Sequence, residues 1–281
     1  MIDAHLHLWQ IGQHDCSWPT PELRAIYRDF GVDDVLPQAQ AAGITGAVLV
    51  QSQESDADTD YLLAIAQASD FIKAVVGWVD LASHGAPARI ARLAQHPKLR
   101  GLRPMLQGLP ADDWILRAEL EPALAAMKEY QLSLDALVYT RHLPYLEVFA
   151  KRHPDLAIVI DHGAKPAIIA HDRPADDWRS AITRTAQQPN VYCKLSGLVT
   201  EAGKPQGETE LSPYISHLLS AFGAGRLMWG SDWPVIRLAP NKGLSNYKNW
   251  LNLAHHALTG CKMSDIESVF IGTSLRFYRI T

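Results

Sequence analysis

Short apolar runs rich in valine, isoleucine and leucine alternate with amphipathic stretches along the whole chain. Continuous apolar runs of this length are typical of strands buried on both faces, as in a parallel sheet covered by helices. They begin about 32 residues apart, which is the length of one strand–helix unit. We predict eight strands, over Ile2–His7, Gly46–Ser52, Lys73–Asp80, Leu99–Leu106, Leu132–Tyr139, Leu156–His162, Asn190–Ser196 and Arg226–Asp232.

The stretches between these strands have the spacing of helices with one apolar face. They are predicted over Asp58–Ala68, Pro87–Ala94, Glu121–Tyr130, Pro144–Arg152, Asp176–Gln187, Pro213–Phe222, Tyr247–Leu258 and Asp265–Tyr278. Eight repeats favour a closed, distorted (β/α)₈ barrel of the α/β class over an open sheet, which would usually carry a glycine-rich phosphate turn. Without a linker or a low-complexity segment, residues 1–281 are expected to form one domain.

Composition and charge exclude several classes of protein. With 26 Lys and Arg against 30 Asp and Glu, the chain lacks the basic surface that nucleic-acid binding requires. There is no apolar run long enough to span a membrane and no leader-like start, and the three cysteines are scattered. We therefore expect a cytoplasmic enzyme or binding protein with reduced thiols, and a homodimer is left open.

The first strand carries Asp3-Ala4-His5-Leu6-His7. Side chains alternate along a strand, so Asp3, His5 and His7 are expected on one face, with Ala4 and Leu6 on the other. Two imidazoles at the end of a barrel strand suit either metal binding or acid–base chemistry. The alternative is a pair of histidines that only form structural hydrogen bonds.

Two further polar signals follow apolar strands. Asp161-His162 closes the sixth strand, and Asp232 follows a Gly-Ser step at the end of the eighth. Either acid could instead cap a turn. Because the carboxyl ends of all barrel strands meet at one rim, where active sites form, we expect His5, His7, His162 and Asp232 to lie together.

Long segments follow the first, seventh and eighth strands, over Leu8–Val32, Gly197–Ser212 and Trp233–Asn246. The first contains Trp9, Trp18 and two prolines, and it is predicted to form a stiff aromatic flap over a pocket at this rim.

The strand-end motifs D-A-H-L-H, D-H-G-A-K-P and W-G-S-D-W-P resemble the amidohydrolase superfamily. The closer resemblance is to its branch of L-fuconolactonase, L-rhamnono-lactonase and 2-pyrone-4,6-dicarboxylate lactonase. It covers nearly the whole chain and includes Val50-Gln51, Gly77-Trp78-Val79-Asp80, Leu99–Arg103, Lys194–Gly197 and Phe277-Tyr278.

This resemblance implies a hydrolase that opens sugar lactones on a barrel. It matches His5, His7, His162 and Asp232 to the family's metal-binding positions. The fourth strand has Arg103 in place of a bridging lysine or glutamate, and the fifth lacks the usual histidine. We therefore expect at most one divalent metal, with zinc the first choice, or no metal at all.

In the expected mechanism Asp232 activates water, while His162, with His5 and His7, either holds the metal or donates hydrogen bonds directly. Without a metal, Arg103 and a protonated histidine have to polarise the lactone carbonyl. Candidate substrate contacts lie at or beyond the strand ends, at Gln51, Trp78, Gln107, Tyr139, Lys194 and Trp233. Each of them could equally serve packing.

Two other functions are left open. A metal-dependent decarboxylase of an aromatic or muconate-type acid would use Arg103, Lys194 and Arg237 to bind a carboxylate. A sugar-binding barrel without catalysis would retain the fold alone, although the intact histidine and aspartate positions argue against it.

Overall fold

The computed structural model describes residues 1–169, 174–202 and 208–281. Its eight strands form one parallel sheet in the order β1 to β8. They are β1 Ile2–Leu6, β2 Gly46–Val50, β3 Ile72–Gly77, β4 Leu99–Leu102, β5 Ser133–Ala136, β6 Ile158–Ile160, β7 Val191–Leu195 and β8 Leu227–Trp229. The predicted eight-stranded α/β barrel is confirmed.

The helices follow the strands as predicted, with one addition after β1. The single helix predicted over Asp265–Tyr278 is instead two helices separated by a π-helical turn at Ser268–Gly272. They are α1 Val32–Ala41, α2 Asp56–Ala68, α3 Ala86–Leu93, α4 Glu121–Glu129, α5 Leu143–Arg152, α6 Asp176–Ala186, α7 Glu208–Phe222, α8 Tyr247–Ala257, α9 Met263–Glu267 and α10 Thr273–Phe277. The sequence pattern missed α1 because Pro37 interrupts it and only Val35 and Ala39 are buried. Within the described residues, none of the helices has the length and apolar character needed to cross a membrane.

The barrel is closed by the segment that follows β8. The backbone N–H of Asp232 donates to the carbonyl of His5 at 2.8 Å, and that of His7 donates to Trp233 at 2.8 Å. Gly230 makes this approach possible, because a Cβ there would lie 2.8 Å from Cβ of His5. Backbone hydrogen bonds therefore join the end of β1, which carries His5 and His7, directly to the segment after β8, which carries Asp232.

Two apolar clusters hold the barrel together. The larger one lies between the strands and the surrounding helices. The smaller one fills the barrel interior with side chains from several strands, and Phe277 and Tyr278 of the C-terminal segment pack against it. Its members are Ala4, Val48, Val50, Ala74, Val76, Val159, Met228, Phe277 and Tyr278.

One prediction for the first strand is wrong. Asp3 does not share a face with His5: its Oδ2 accepts a hydrogen bond of 2.6 Å from Tyr247 on α8, in the helix layer, while Ala4 packs inside the barrel. The register between β1 and β2 shifts between Asp3 and Leu6, so the simple alternation of side chains breaks there.

The strands also end earlier than predicted. After β4 and β6, for example, the chain turns into short 3₁₀ segments at Leu106–Gly108 and Asp161–Ala164. The polar residues at the ends of the apolar runs are therefore on rim loops, where their side chains can converge.

Candidate active site

Four side chains meet at the carboxyl end of the barrel. Oδ1 of Asp232 lies 3.8 Å from Nε2 of His5, 3.5 Å from Nε2 of His7 and 3.9 Å from Nε2 of His162. The Nε2 atoms of His5 and His7 are 3.0 Å apart, and all four side chains are buried. The structure therefore brings together the strand-end residues that the sequence placed on β1, β6 and β8.

Neighbouring strands fix the orientation of two of these imidazoles. Nδ1 of His7 lies 2.8 Å from the carbonyl oxygen of Val50 at the end of β2. Because a carbonyl can only accept, this Nδ1 carries a proton, and in the neutral imidazole Nε2 of His7 then presents a lone pair. Nδ1 of His162 lies 2.8 Å from the hydroxyl of Ser196 after β7, which leaves its Nε2 facing Asp232.

The backbone adopts an uncommon conformation around His162 and at Asp232. His162, Ala164 and Lys165 have φ of 54°, 62° and 47°, and Asp232 has φ of 56°. The left-handed region costs a residue with a side chain about 1–2 kcal/mol. Such strain persists only where the surrounding structure fixes it, and it is concentrated at functional sites.

A buried layer of charges lies deeper in the barrel. The ammonium of Lys194 is 2.6 Å from Asp135 and 3.0 Å from Asp161, and the Tyr278 hydroxyl donates to Asp135 at 2.6 Å. Arg103 donates to Asp161 at 3.0 Å and also to the carbonyl of Gln51. Opposite charges are therefore paired within the barrel, as burial in a low dielectric requires.

This layer corrects one predicted role. Lys194 has no exposed surface, and its ammonium is enclosed by carboxylates and an imidazole, so it does not reach a substrate. Asp135, which the sequence interpretation left out, is its main partner. Ionisable residues in the middle of two buried strands, β5 and β7, which lie on either side of β6, were the available signal, since a buried charge needs a partner.

Burial also determines the protonation of the histidines. Desolvation lowers the pKa of His162 to about 4 and holds that of His5 well below its usual range. Both imidazoles are therefore neutral near pH 7, which disagrees with a mechanism that needs either of them protonated. Burial alone would raise the pKa of Asp232, but His162 and then His7 outweigh it, so the pKa is lowered and the carboxylate is ionised.

The other predicted substrate contacts separate into three groups. Gln51 and Trp233 are buried, and the Gln51 amide donates to the carbonyl of Arg103 at 2.9 Å. Trp78 and Gln107 line an open cavity of about 660 Å³ at the rim. Tyr139 lies elsewhere on the rim, with the ammonium of Lys165 5.7 Å from its ring centroid.

The cavity lies beside the end of β2, and its lining residues include none of the four clustered side chains. Val50 binds His7, and Ser52 and Gln53 form part of the cavity wall. The flap after β1 forms another part, because Trp18 lines the cavity and the Gln53 amide donates to the Trp18 carbonyl at 2.7 Å. Trp9, in contrast, is fully buried beneath it.

The donor set is suited to one divalent cation. His5, His7 and Asp232 offer ligand atoms within 4.8 Å of one another, and Nε2 of His162 faces the same carboxylate oxygen. Three imidazole nitrogens and one carboxylate oxygen form a zinc-type ligand set. The fit requires a lone pair on Nε2 of His5, which depends on where this imidazole carries its proton.

Comparison with known proteins agrees with this geometry. The Amidohydrolase family model matches residues 2–280. The chain belongs to the amidohydrolase family. This confirms the resemblance that the strand-end motifs indicated.

Two curated relatives cover almost all of this amidohydrolase. The L-fucono-1,5-lactonase of Burkholderia ambifaria is 49% identical over 280 residues, which is 99% of this chain and 95% of that protein. The L-fucono-1,5-lactonase of Burkholderia multivorans is 36% identical over 295 residues, with 99% and 96% covered.

A solved amidohydrolase from Burkholderia multivorans has the same fold. It has a TM-score of 0.91 and 31% identity, and the match covers 100% of this chain and 99% of that one. It was crystallised with bound HEPES and, in another crystal form with the same similarity, with bound zinc.

Proposed function

We propose that this amidohydrolase hydrolyses the ester bond of a sugar lactone, and that L-fucono-1,5-lactone is the first substrate to test. The observation that carries the proposal is the ionised Asp232 carboxylate, which faces Nε2 of three imidazoles at the barrel rim. Two full-length relatives that bear the name L-fucono-1,5-lactonase support it.

In the proposed mechanism Asp232 is the general base. Its carboxylate takes a proton from water as the water oxygen bonds to the lactone carbonyl carbon, and the negative charge moves to the carbonyl oxygen. The bond to the ring oxygen then breaks, and the proton held by Asp232 passes to that oxygen. The product is the open hydroxy acid, whose carboxyl group loses its proton to solvent, and Asp232 is again an ionised carboxylate.

The positive charge of Arg103 is proposed to stabilise the carbonyl oxygen. Its NH1 lies 3.5 Å from Nε2 of His5, and its Nε has no hydrogen-bond partner among the described residues. His162, although neutral, can still donate a hydrogen bond through whichever ring nitrogen carries its proton. Fixed donors of this kind are the main source of stabilisation for such an oxyanion.

The four clustered side chains, His5, His7, His162 and Asp232, are the proposed ligands of a single divalent cation, with zinc the first candidate. The chemistry that such a cation supplies is Lewis-acid polarisation of the carbonyl and greater acidity of nearby water. Asp232 accepts the proton from water whether or not the cation is bound.

The decarboxylase alternative lacks the free cations it needs among the described residues. Arg103 and Lys194 are paired with buried carboxylates, and Arg237 donates to the carbonyl of Ala25 on the exposed surface. The charge of Arg103 is already balanced by Asp161, so a carboxylate substrate would find no unpaired cation among these three side chains. Lactone hydrolysis, whose substrate is neutral, fits this charge distribution better.

The proposal is tested with a panel of aldono-lactones, followed by a pH indicator, on chelator-treated protein and after zinc is added. Asp232→Asn is expected to lower turnover at least ~1,000-fold, because an amide cannot accept the proton from water. The matched control is Asp70→Asn, an exposed carboxylate before β3 and away from the rim, which should keep most of the activity.

If the Asp232→Asn variant keeps the turnover of the wild type, the mechanism is refuted. A wild type that opens none of the lactones, with or without zinc, would refute the proposed function, and release of carbon dioxide from aromatic acids would replace it. A cytoplasmic location and a homodimer remain predictions from the sequence.

A further inference from the structure

The ammonium of Lys194 has three acceptors around it in the barrel interior. They are Oδ2 of Asp135 at 2.6 Å, Oδ1 of Asp161 at 3.0 Å and Nδ1 of His5 at 3.2 Å. All four side chains are completely buried. The ammonium, which can only donate, forms hydrogen bonds with Asp135 and His5 and an ion pair with Asp161.

These contacts determine which nitrogen of His5 carries the proton. Nδ1 faces the Lys194 ammonium at 3.2 Å, and Nε2 faces NH1 of Arg103 at 3.5 Å. Both groups can only donate, so the shorter contact assigns the lone pair to Nδ1 and the single proton of the neutral imidazole to Nε2. This Nε2–H has an acceptor 3.0 Å away, because Nε2 of His7 presents a lone pair while its Nδ1 donates to Val50. A continuous chain of hydrogen bonds therefore runs from Lys194 through His5 and His7 to Val50.

A cation at the histidine cluster would require the other tautomer. Nε2 of His5 can coordinate only after its proton has moved to Nδ1, where the available acceptor is Oδ1 of Asp161 at 3.4 Å. Lys194 then loses its hydrogen bond to His5, and its charge remains next to a ligand of the cation. Both effects oppose metal binding.

We propose that Lys194 is a positioning residue that holds His5 in the tautomer unable to coordinate a metal, and that it thereby weakens divalent-cation binding at this site. The inference concerns the same site as the proposed lactonase function. It does not depend on that function, because both of the following measurements are made without substrate.

The first experiment measures the zinc dissociation constant of metal-free protein by competition with a chromophoric chelator. The variant is Lys194→Met combined with Asp135→Asn, which removes a buried positive and a buried negative charge together. Zinc is expected to bind at least ~10-fold more tightly than to the wild type. A folded variant with unchanged or weaker zinc binding would overturn the proposal.

The matched control is Lys98→Met. The Lys98 ammonium is partly buried and donates to the carbonyls of Ala66 and Ser69. It lies at the amino end of β4, away from the histidines. Zinc binding by this variant should equal that of the wild type. Equal tightening in both variants would contradict a specific role for Lys194.

The second experiment needs no variant at Lys194. Nitrogen-15 NMR of the metal-free wild type, with His5 assigned by comparison with His5→Gln, distinguishes a protonated from an unprotonated ring nitrogen. We expect Nδ1 of His5 to be unprotonated without zinc and protonated when zinc is bound. A protonated Nδ1 in the metal-free protein would refute the inference even if the double variant did not fold.

Discussion

Gly197 borders the imidazole ring of His162, and a Cβ on this glycine would lie 2.5 Å from Nδ1 of the histidine. Gly197 also has φ of 66°, a conformation that favours glycine. The segment after β7 thus fixes the position of His162 in two ways, since Ser196 binds its Nδ1 and Gly197 leaves room for its ring. The position of His162, after β6, therefore depends on Gly197, after β7.

Gly197→Ala is expected to displace His162 and lower kcat/KM for the lactone at least ~100-fold, because the ring would have to move away from Asp232. The control is Gly223→Ala, which has the same φ of 66° but nothing within 4 Å of its added Cβ. Both variants should lose about 1 kcal/mol or more of unfolding free energy from the strained backbone. Equal activity of the two variants would show that the ring does not need this space.

Asp58 makes the free energy of unfolding depend on pH. Burial raises its pKa to about 6 from an ordinary value of 3.8, although it accepts from the backbone of Ser52 at 3.2 Å. The folded protein therefore holds this proton more tightly than the unfolded chain, and the Asp58 contribution to the free energy of unfolding falls as pH rises from about 4 to 6.

The free energy of unfolding of Asp58→Asn, measured relative to that of the wild type, is accordingly expected to rise by about 2–3 kcal/mol from pH 4 to pH 7. The asparagine oxygen can still accept the backbone hydrogen bond, so the cavity wall at Ser52 is retained. Urea unfolding at both pH values measures the difference, with the exposed Asp70→Asn as the control. A constant difference between variant and wild type would mean that Asp58 has an ordinary pKa in the folded state.

Gln107 is the polar cavity residue best placed to recognise a hydroxyl group. Its Oε1 is buried and has no hydrogen-bond partner among the described residues, and its side chain lines the cavity. Gln107→Leu should raise KM for an aldono-lactone about tenfold while KM for δ-valerolactone, which has no hydroxyls, changes little. Met105→Leu, in the same cavity, should affect neither substrate; equal losses for both would assign Gln107 to packing.

The sequence predicted the parts of the site that depend on strand ends. His5, His7, His162 and Asp232 follow apolar runs, and the closed barrel brings such positions together whatever the details of each strand. It could not predict the face of Asp3, because the β1 irregularity depends on pairing with β2. The role of Lys194 was missed for a similar reason, since its partner Asp135 is 59 residues away and becomes a neighbour only in the folded sheet.

The flap after β1 gives the last prediction. Gln53 fixes it, because its Oε1 accepts from the backbone N–H of Ser17 at 3.1 Å and its Nε2 donates to the Trp18 carbonyl at 2.7 Å. Gln53→Ala removes these hydrogen bonds, so Trp18 is no longer held against the cavity, and KM should rise several-fold with a smaller change in kcat. Gln38→Ala, which removes an exposed amide hydrogen bond on α1, is the control. If the Gln53 variant keeps the wild-type KM but loses stability by about 1–3 kcal/mol, the amide supports the fold of the flap without contributing to substrate binding.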